Sequence, residues 1–146
     1  MDVPADLLSK LERYCAYQER SEAEVRKKIG TLAGSVAQGD EIIRRLKEHD
    51  FLNEERFAET YIRSKLKDQW GKLKIRQGLY QKGVAPDVIN EQMANIDEEA
   101  YHDMLLQAMA KWKRLNAGDA DNRSKLIKAM LSKGFAMDEI MPLITS

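Results

Sequence analysis

The stretch "WGKLKIRQGLYQKGV", Trp70 to Val84, has an echo in "SKLIKAMLSKGF", Ser124 to Phe135. Ile75 and Leu79 in the first take the places of Leu126 and Met130 in the second, and Lys82-Gly83 those of Lys133-Gly134. Val25 and Ile29 hold the same places near the start of the chain. A step of four between apolar residues is helical, and the glycine that ends each copy suits a helix stop, with Gly83 expected as a left-handed C-cap. The copies recur at about 50 residues, the period of stacked helical units that cannot bury their apolar faces alone. The expected fold class is therefore all-α: three tandem three-helix repeats forming one elongated, curved helical-repeat domain over residues 1–146, with approximate repeats 1–50, 51–96 and 97–146.

Outward from these copies, nearly every window is helical and no alternating strand pattern stands between turns. A helix from about Ala5 to Tyr17 puts Leu7, Leu8, Leu11, Tyr14 and Cys15 on one face. Ser21 with Glu24 reads as a capping box before a helix that buries Val25, Ile29 and Leu32. The turn "GTLAGSVAQG", Gly30 to Gly39, follows, and Asp40 is expected to cap a helix carrying Ile42, Ile43 and Leu46. Asp40, Asp87 and Asp138 are read as equivalent openings of the three third helices.

Asn53 is the expected N-cap of the middle group, followed by Phe57, Ala58, Tyr61, Ile62 and Leu66 on one face. Gly71 breaks the pattern before the Lys72–Lys82 helix, whose buried arc is expected to hold Leu73, Ile75, Leu79 and Tyr80. Arg76 lies on the border of that arc and is expected to be semi-buried against a carboxylate. Pro86 suits a helix first turn ahead of Val88, Ile89 and Met93. The last group has a long helix, Glu98 to Leu115, with Tyr101, Met104, Leu105, Ala108, Trp112 and Leu115 inward. Leu126, Ile127, Met130 and Leu131 follow, and then a short helix with Ile140, Leu143 and Ile144, limited by Pro142.

The 146 residues include 24 Lys and Arg against 24 Asp and Glu, so the chain is neutral overall. That balance argues against a protein held on DNA by bulk electrostatics. Charge is nonetheless segregated. Tyr61 to Gly83 holds seven basic residues and one acid, Lys111 to Lys133 seven and two, and Pro86 to Asp103 six acids with no Lys or Arg. A partner-binding surface is expected from Arg63, Lys67, Lys74, Lys82, Lys125, Lys128 and Lys133. The alternative is an ordinary solvated helix face.

No catalytic, cofactor-binding or metal-binding residues are expected. His49 and His102 are too few and too separated, and the paired acids Glu54-Glu55 and Glu98-Glu99 sit in helix first turns where the helix dipole accounts for them. Cys15 reads as a small core residue, and a single cysteine makes no intrachain disulfide. Trp70 and Trp112 are read as packing residues. No segment resembles a signal peptide, and no apolar run reaches the ~20 residues of a membrane span. A cytoplasmic monomer away from membranes is expected.

"DFLNEERFAETYIRSK", Asp50 to Lys65, together with "WGKLKIRQGLYQKGV" resembles the central signature of the RecX family. "RYCAYQERSEAEVRKKI", Arg13 to Ile29, resembles that family's opening segment, and "LSKGFAMDEI", Leu131 to Ile140, its closing one. The resemblance implies repeated three-helix units and regulation of the RecA recombinase, commonly inhibition. Binding would lie along the groove of the RecA–single-stranded-DNA filament, limiting ATPase, strand exchange and the DNA-damage response, with single- or double-stranded DNA as a further partner. Longer members carry additional repeats, so a shorter footprint is expected here. An autonomous nucleic-acid-binding module and a scaffold for another protein stay open beside it. Two positions depart from the family pattern. Lys72 stands where proline is usual, and Gly78 where an acid is common, which should weaken that helix by about 1 kcal/mol relative to alanine.

Overall fold

The computed structural model describes residues 3–32 and 34–144; Ala33, within the expected turn, lies outside them. Among the described residues there are nine α-helices, one 3-10 turn and no strand. The α-helices are α1 (Ala5–Tyr17), α2 (Glu22–Thr31), α3 (Val36–Glu48), α4 (Glu54–Lys67), α5 (Lys72–Gln81), α6 (Pro86–Ala94), α7 (Glu98–Leu115), α8 (Arg123–Ser132) and α9 (Met137–Ile144).

The repeat is visible in where helices begin. The second helices start at Glu22, Lys72 and Arg123 and the third at Val36, Pro86 and Met137, so the step from second to third helix is the same each time. Val25, Ile75 and Leu126 are all buried, as are Ile29, Leu79 and Met130. One polar bond recurs with them. Arg26 donates to Asp40 at 2.8 Å, and Arg76 donates to Asn90, the residue the same number of positions further on. Asp40 is therefore the counterpart of Asn90, not of Asp87. It does not cap α3 either. Ser35 caps that helix, its hydroxyl accepting from Gln38 N–H while the Gln38 side chain accepts from Ser35 N–H, so α3 begins a turn earlier than Asp40 suggested.

The chain gathers into two compact units. The first comprises the residues up to Thr60 together with Leu79–Ile89; the second comprises Tyr61–Gly78 and the chain from Asn90 onward. In the first, α1, α2 and α3 pack around Leu7, Leu11, Val25, Ile42, Ile43 and Leu46. Ser21 is buried at the start of α2, where its hydroxyl accepts from Glu24 N–H and the Glu24 carboxylate accepts from Ser21 N–H. Asn53 caps α4 by accepting from Arg56 N–H at 2.8 Å. Cys15 is buried in this core, and burial pushes its thiol up to about 11, as suits an unreactive packing residue.

In the second unit α8 packs on α7 and α9 around Tyr101, Leu105, Leu126, Met130, Phe135 and Ile140. Several residues expected to be buried are not. Leu73 is 55% exposed, Tyr80 70% and Leu115 69%; Leu131 is also exposed. The buried arc of α5 is narrower than the apolar pattern, because Ile75 and Leu79 alone, one turn apart, meet the core.

Among the described residues, four helices end alike. Asp50, Gln69, Gly83 and Gly134 have positive φ, and the next residue's N–H reaches back to the last turn: Phe51 to Leu46 O, Trp70 to Lys65 O, Val84 to Leu79 O and Phe135 to Met130 O. This is the Schellman arrangement, closed each time by an apolar residue. Two of the four left-handed positions are glycines, and those two were legible from the sequence.

Gly78 lies mid-helix at the cost of propensity, and packing explains it. A Cβ there would stand 2.0 Å from the Tyr61 hydroxyl oxygen. Gly78→Ala is expected to lower stability by about 1–3 kcal/mol in urea denaturation despite alanine's better helix propensity. Adding Tyr61→Phe should recover part of the loss; a Gly78→Ala chain more stable than the parent would refute the overlap.

Candidate functional site: a lysine cluster beside Trp70

The start of α5 sets this site. Trp70-Gly71 offers no serine, threonine, aspartate or asparagine to cap the helix, so its first N–H groups need other acceptors. They find them in the second unit. Gly71 N–H donates to Lys133 O at 2.7 Å, Lys72 N–H to the Tyr101 hydroxyl at 2.9 Å and Leu73 N–H to Gly134 O at 3.1 Å. The positive end of α5 thus rests on the carbonyl end of α8. The Tyr101 hydroxyl donates in turn to Glu139, at 3.2 Å, and the same Glu139 oxygen accepts from Ala136 N–H at the start of α9. Burial, foremost, pushes the Tyr101 hydroxyl well above the usual tyrosine range, so it stays a donor throughout the ordinary pH range.

The approach is close enough to demand glycine on both sides. A Cβ on Gly71 would lie 2.2 Å from the Gly134 carbonyl carbon. A Cβ on Gly134, whose φ is +98°, would lie 2.3 Å from the Lys74 Cβ. Lys74 and Lys133 are thereby held side by side.

Trp70, fixed by the turn that ends α4, completes the cluster. The Lys65 ammonium stands 4.6 Å from its ring centroid and 5.3 Å from that of Tyr61, and the Lys74 ammonium 4.2 Å from the Trp70 ring. Lys133 is pushed below the usual lysine range, first by burial and then by the ammoniums of Lys111 and Lys74, with Asp68 acting the other way. Lys65 and Lys74 thus flank one indole, their charge partly compensated by cation–π contacts, and the Lys74 ammonium acts together with that of Lys111 on Lys133. Such a surface favours an anion that can accept several charge-assisted hydrogen bonds, such as a phosphate or carboxylate group.

Of the residues expected to bind a partner, Lys74 and Lys133 are brought together here. Arg63 and Lys67 are exposed on α4, the helix that carries Lys65. Lys128 is exposed on α8, and Lys125 there pairs with Asp119 at 3.1 Å. Lys82 belongs to the first unit, where its ammonium is 4.0 Å from Glu24 and lines a cleft of about 460 Å³ with Tyr14, Lys27 and Lys28. Arg76 corrects an expectation. It is exposed rather than semi-buried, and its guanidinium donates to the Asn90 amide oxygen rather than to a carboxylate. Sequence reasoning passed over Lys65, Lys111 and the role of Trp70. The step from Lys65 to Trp70 is that of a Schellman closure, but Gln69 does not advertise a left-handed turn as glycine would.

Among the described residues no group of His, Cys, Asp and Glu could hold a metal ion, and no helix is long and apolar enough to cross a membrane.

Residues 53–93, spanning α4 to α6, match the family model of the second three-helix domain of RecX. A "Regulatory protein RecX" of Halorhodospira halophila is 33% identical over 132 residues, covering 88% of this chain and 80% of that protein. The chain belongs to the RecX family. A "Regulatory protein RecX" of Clostridium botulinum (strain Alaska E43 / Type E3) is 34% identical over 86% of this chain; the chain spans 60% of that relative's length. The crystal structure of RecX from Lactobacillus salivarius superposes with a TM-score of 0.81 at 25% identity, covering 97% of both chains. A second RecX crystal structure shares the fold with a TM-score of 0.87 at 22% identity, over 97% of this chain and 73% of that one. The matched central domain contains Lys65, Trp70 and Lys74, while Lys111 and Lys133 come from the chain beyond it. Lys72 has a local use that a proline could not serve, since proline has no N–H to give Tyr101.

The depressed Lys133 pKa has a sign. Its folded value lies below its unfolded one, so the unfolded chain holds the proton more tightly. Charged Lys133 therefore costs stability at neutral pH, and the cost disappears as pH rises towards 10.5. Lys133→Gln is expected to melt higher than the parent at pH 7, with the gap narrowing towards pH 10.5. A gap independent of pH in thermal melts would contradict the crowding.

Proposed function

We propose that this chain regulates the RecA recombinase, as an inhibitor, by binding in the groove of the RecA–single-stranded-DNA filament and limiting its ATPase and strand-exchange activities and the DNA-damage response. Membership of the RecX family carries the proposal. The second-unit lysine cluster supports it physically, because a filament groove offers both phosphates and carboxylates to an otherwise neutral protein. Arg63, Lys67, Lys74, Lys125, Lys128 and Lys133 are assigned to partner contact, with Lys82 contributing from the first unit. The repeats 1–50, 51–96 and 97–146 are the units that would engage successive parts of the filament, within one domain of a cytoplasmic monomer. A second reading, direct binding to free nucleic acid, is favoured by Lys65 and Lys74 beside the Trp70 ring.

Purified protein added to RecA on single-stranded DNA is expected to slow DNA-dependent ATP hydrolysis and strand exchange. No effect on either would sink the RecA proposal. Reversing Lys65 and Lys74 to glutamate should weaken filament binding about tenfold, or about 1.4 kcal/mol. Salt titration separates the two readings. If the cluster meets phosphates, each lost contact lowers the slope of log affinity against log salt by about one. Free DNA bound as tightly as the filament would favour the second reading.

A further inference from the structure

The first unit holds a second basic surface, and this one is concave. Glu24, Lys27, Lys28 and Thr31 recur at three- and four-residue steps on α2 and so share one helix face. The turn that ends α5 packs on the start of α2: a Cβ on Gly83, whose φ is +80°, would stand 3.6 Å from the Ala23 Cβ. Gln81 and Lys82 are thereby brought beside α2, and a cleft of about 460 Å³ lies there, with Tyr14 of α1 also on its wall. The ammoniums of Lys27, Lys28 and Lys82 line this cleft against one carboxylate, that of Glu24. One Glu24 oxygen already accepts from the Ser21 N–H and hydroxyl, and Lys82 stands 4.0 Å from the other. The Lys28 ammonium lies 5.5 Å from the Tyr14 ring centroid. Among the described residues neither Lys27 nor Lys28 forms an ion pair. The cleft therefore carries positive charge that the chain itself does not compensate.

We propose that this cleft is a binding site for a compact polyphosphate, either pyrophosphate or the phosphate chain of a free nucleotide, held by Lys27, Lys28 and Lys82. Lysine meets phosphate as a point charge, whereas a carboxylate is matched best by the planar fork of arginine, and no arginine lines this cleft. The excess of ammoniums calls for an anion with several charges in a small volume. A diphosphate carries its charges on adjoining groups, while a nucleic-acid strand spreads them singly along an extended backbone that a concave wall follows poorly. The exposed Gln81 amide adds neutral donors at the rim. The bound anion bridges α2 and the end of α5, so it stabilises the folded first unit by mass action. The inference concerns a small ligand in the first unit, and it stands or falls apart from any effect on RecA and from the cluster beside Trp70.

The test is calorimetric titration of pyrophosphate into the intact protein at neutral pH and low ionic strength, without added divalent cation. Pyrophosphate is expected to bind at a single site and to raise the melting temperature. Lys28→Gln and Lys82→Gln should each weaken binding several-fold. Gln81→Glu should do the same, because it adds a negative charge at an exposed position and keeps all three lysines. Lys10→Gln, an exposed change on α1 away from the cleft wall, should leave binding unaltered. ATP should displace pyrophosphate, and AMP should not. ATP binding more tightly than pyrophosphate would identify a nucleotide as the ligand, and equal binding the phosphate chain alone; either supports the proposal. No binding, or binding unmoved by Gln81→Glu, would overturn it. Binding weakened by Lys74→Gln but not by Lys28→Gln would put the anion at the other lysine cluster and overturn it too. A single-stranded oligonucleotide or AMP that competes better than ATP would overturn the assignment to a compact polyphosphate.

Discussion

The start of α5 cannot satisfy its own backbone. Gly71 and the residues after it present N–H groups with no capping side chain nearby, and buried unpaired donors of that kind each cost about 1–3 kcal/mol. Their acceptors are the Lys133 and Gly134 carbonyls and the Tyr101 hydroxyl. Everything distinctive about the second unit depends on this. The two glycines are there because their backbones nearly touch. Tyr101 is buried with its hydroxyl because that hydroxyl joins the starts of α5 and α9 through Glu139.

The same contact organises charge. Lys74 and Lys133 are more than fifty residues apart in sequence, and each on its own is an outward lysine of an amphipathic helix. Once the end of α5 rests on the end of α8 they become neighbours, and Trp70 is drawn in with Lys65 through the turn that closes α4. A neutral protein thereby acquires a dense local positive site without excess net charge, which keeps long-range attraction to bulk nucleic acid low while leaving short-range recognition of anions intact. In the first unit Lys82 has Glu24 within reach, and the contrast shows that basic residues alike in sequence differ in how far their charge is compensated.

Much of the fold was legible beforehand because local rules and packing agree there. The helical period, the Ser21–Glu24 capping box, the Asn53 cap and the Gly83 turn all appear where the sequence puts them. Expectations failed where two local signals competed. Asp40 looked like a cap, but Ser35 and Gln38 form a capping box one turn earlier and leave Asp40 to Arg26. Leu73 and Tyr80 continue an apolar pattern, yet α5 meets the core along a narrower line. Arg76 lies near that line, but the neighbouring helix offers it an amide at Asn90.

By itself the sequence determined the helices, their repeat at about 50 residues and the paired apolar positions that form the cores. These follow from side-chain periodicity and backbone capping, which act over a few residues. Only the tertiary structure decided which lysines share a site. Charges on different helices interact according to distance and burial, and those are set by the contact between two helix ends far apart in the chain.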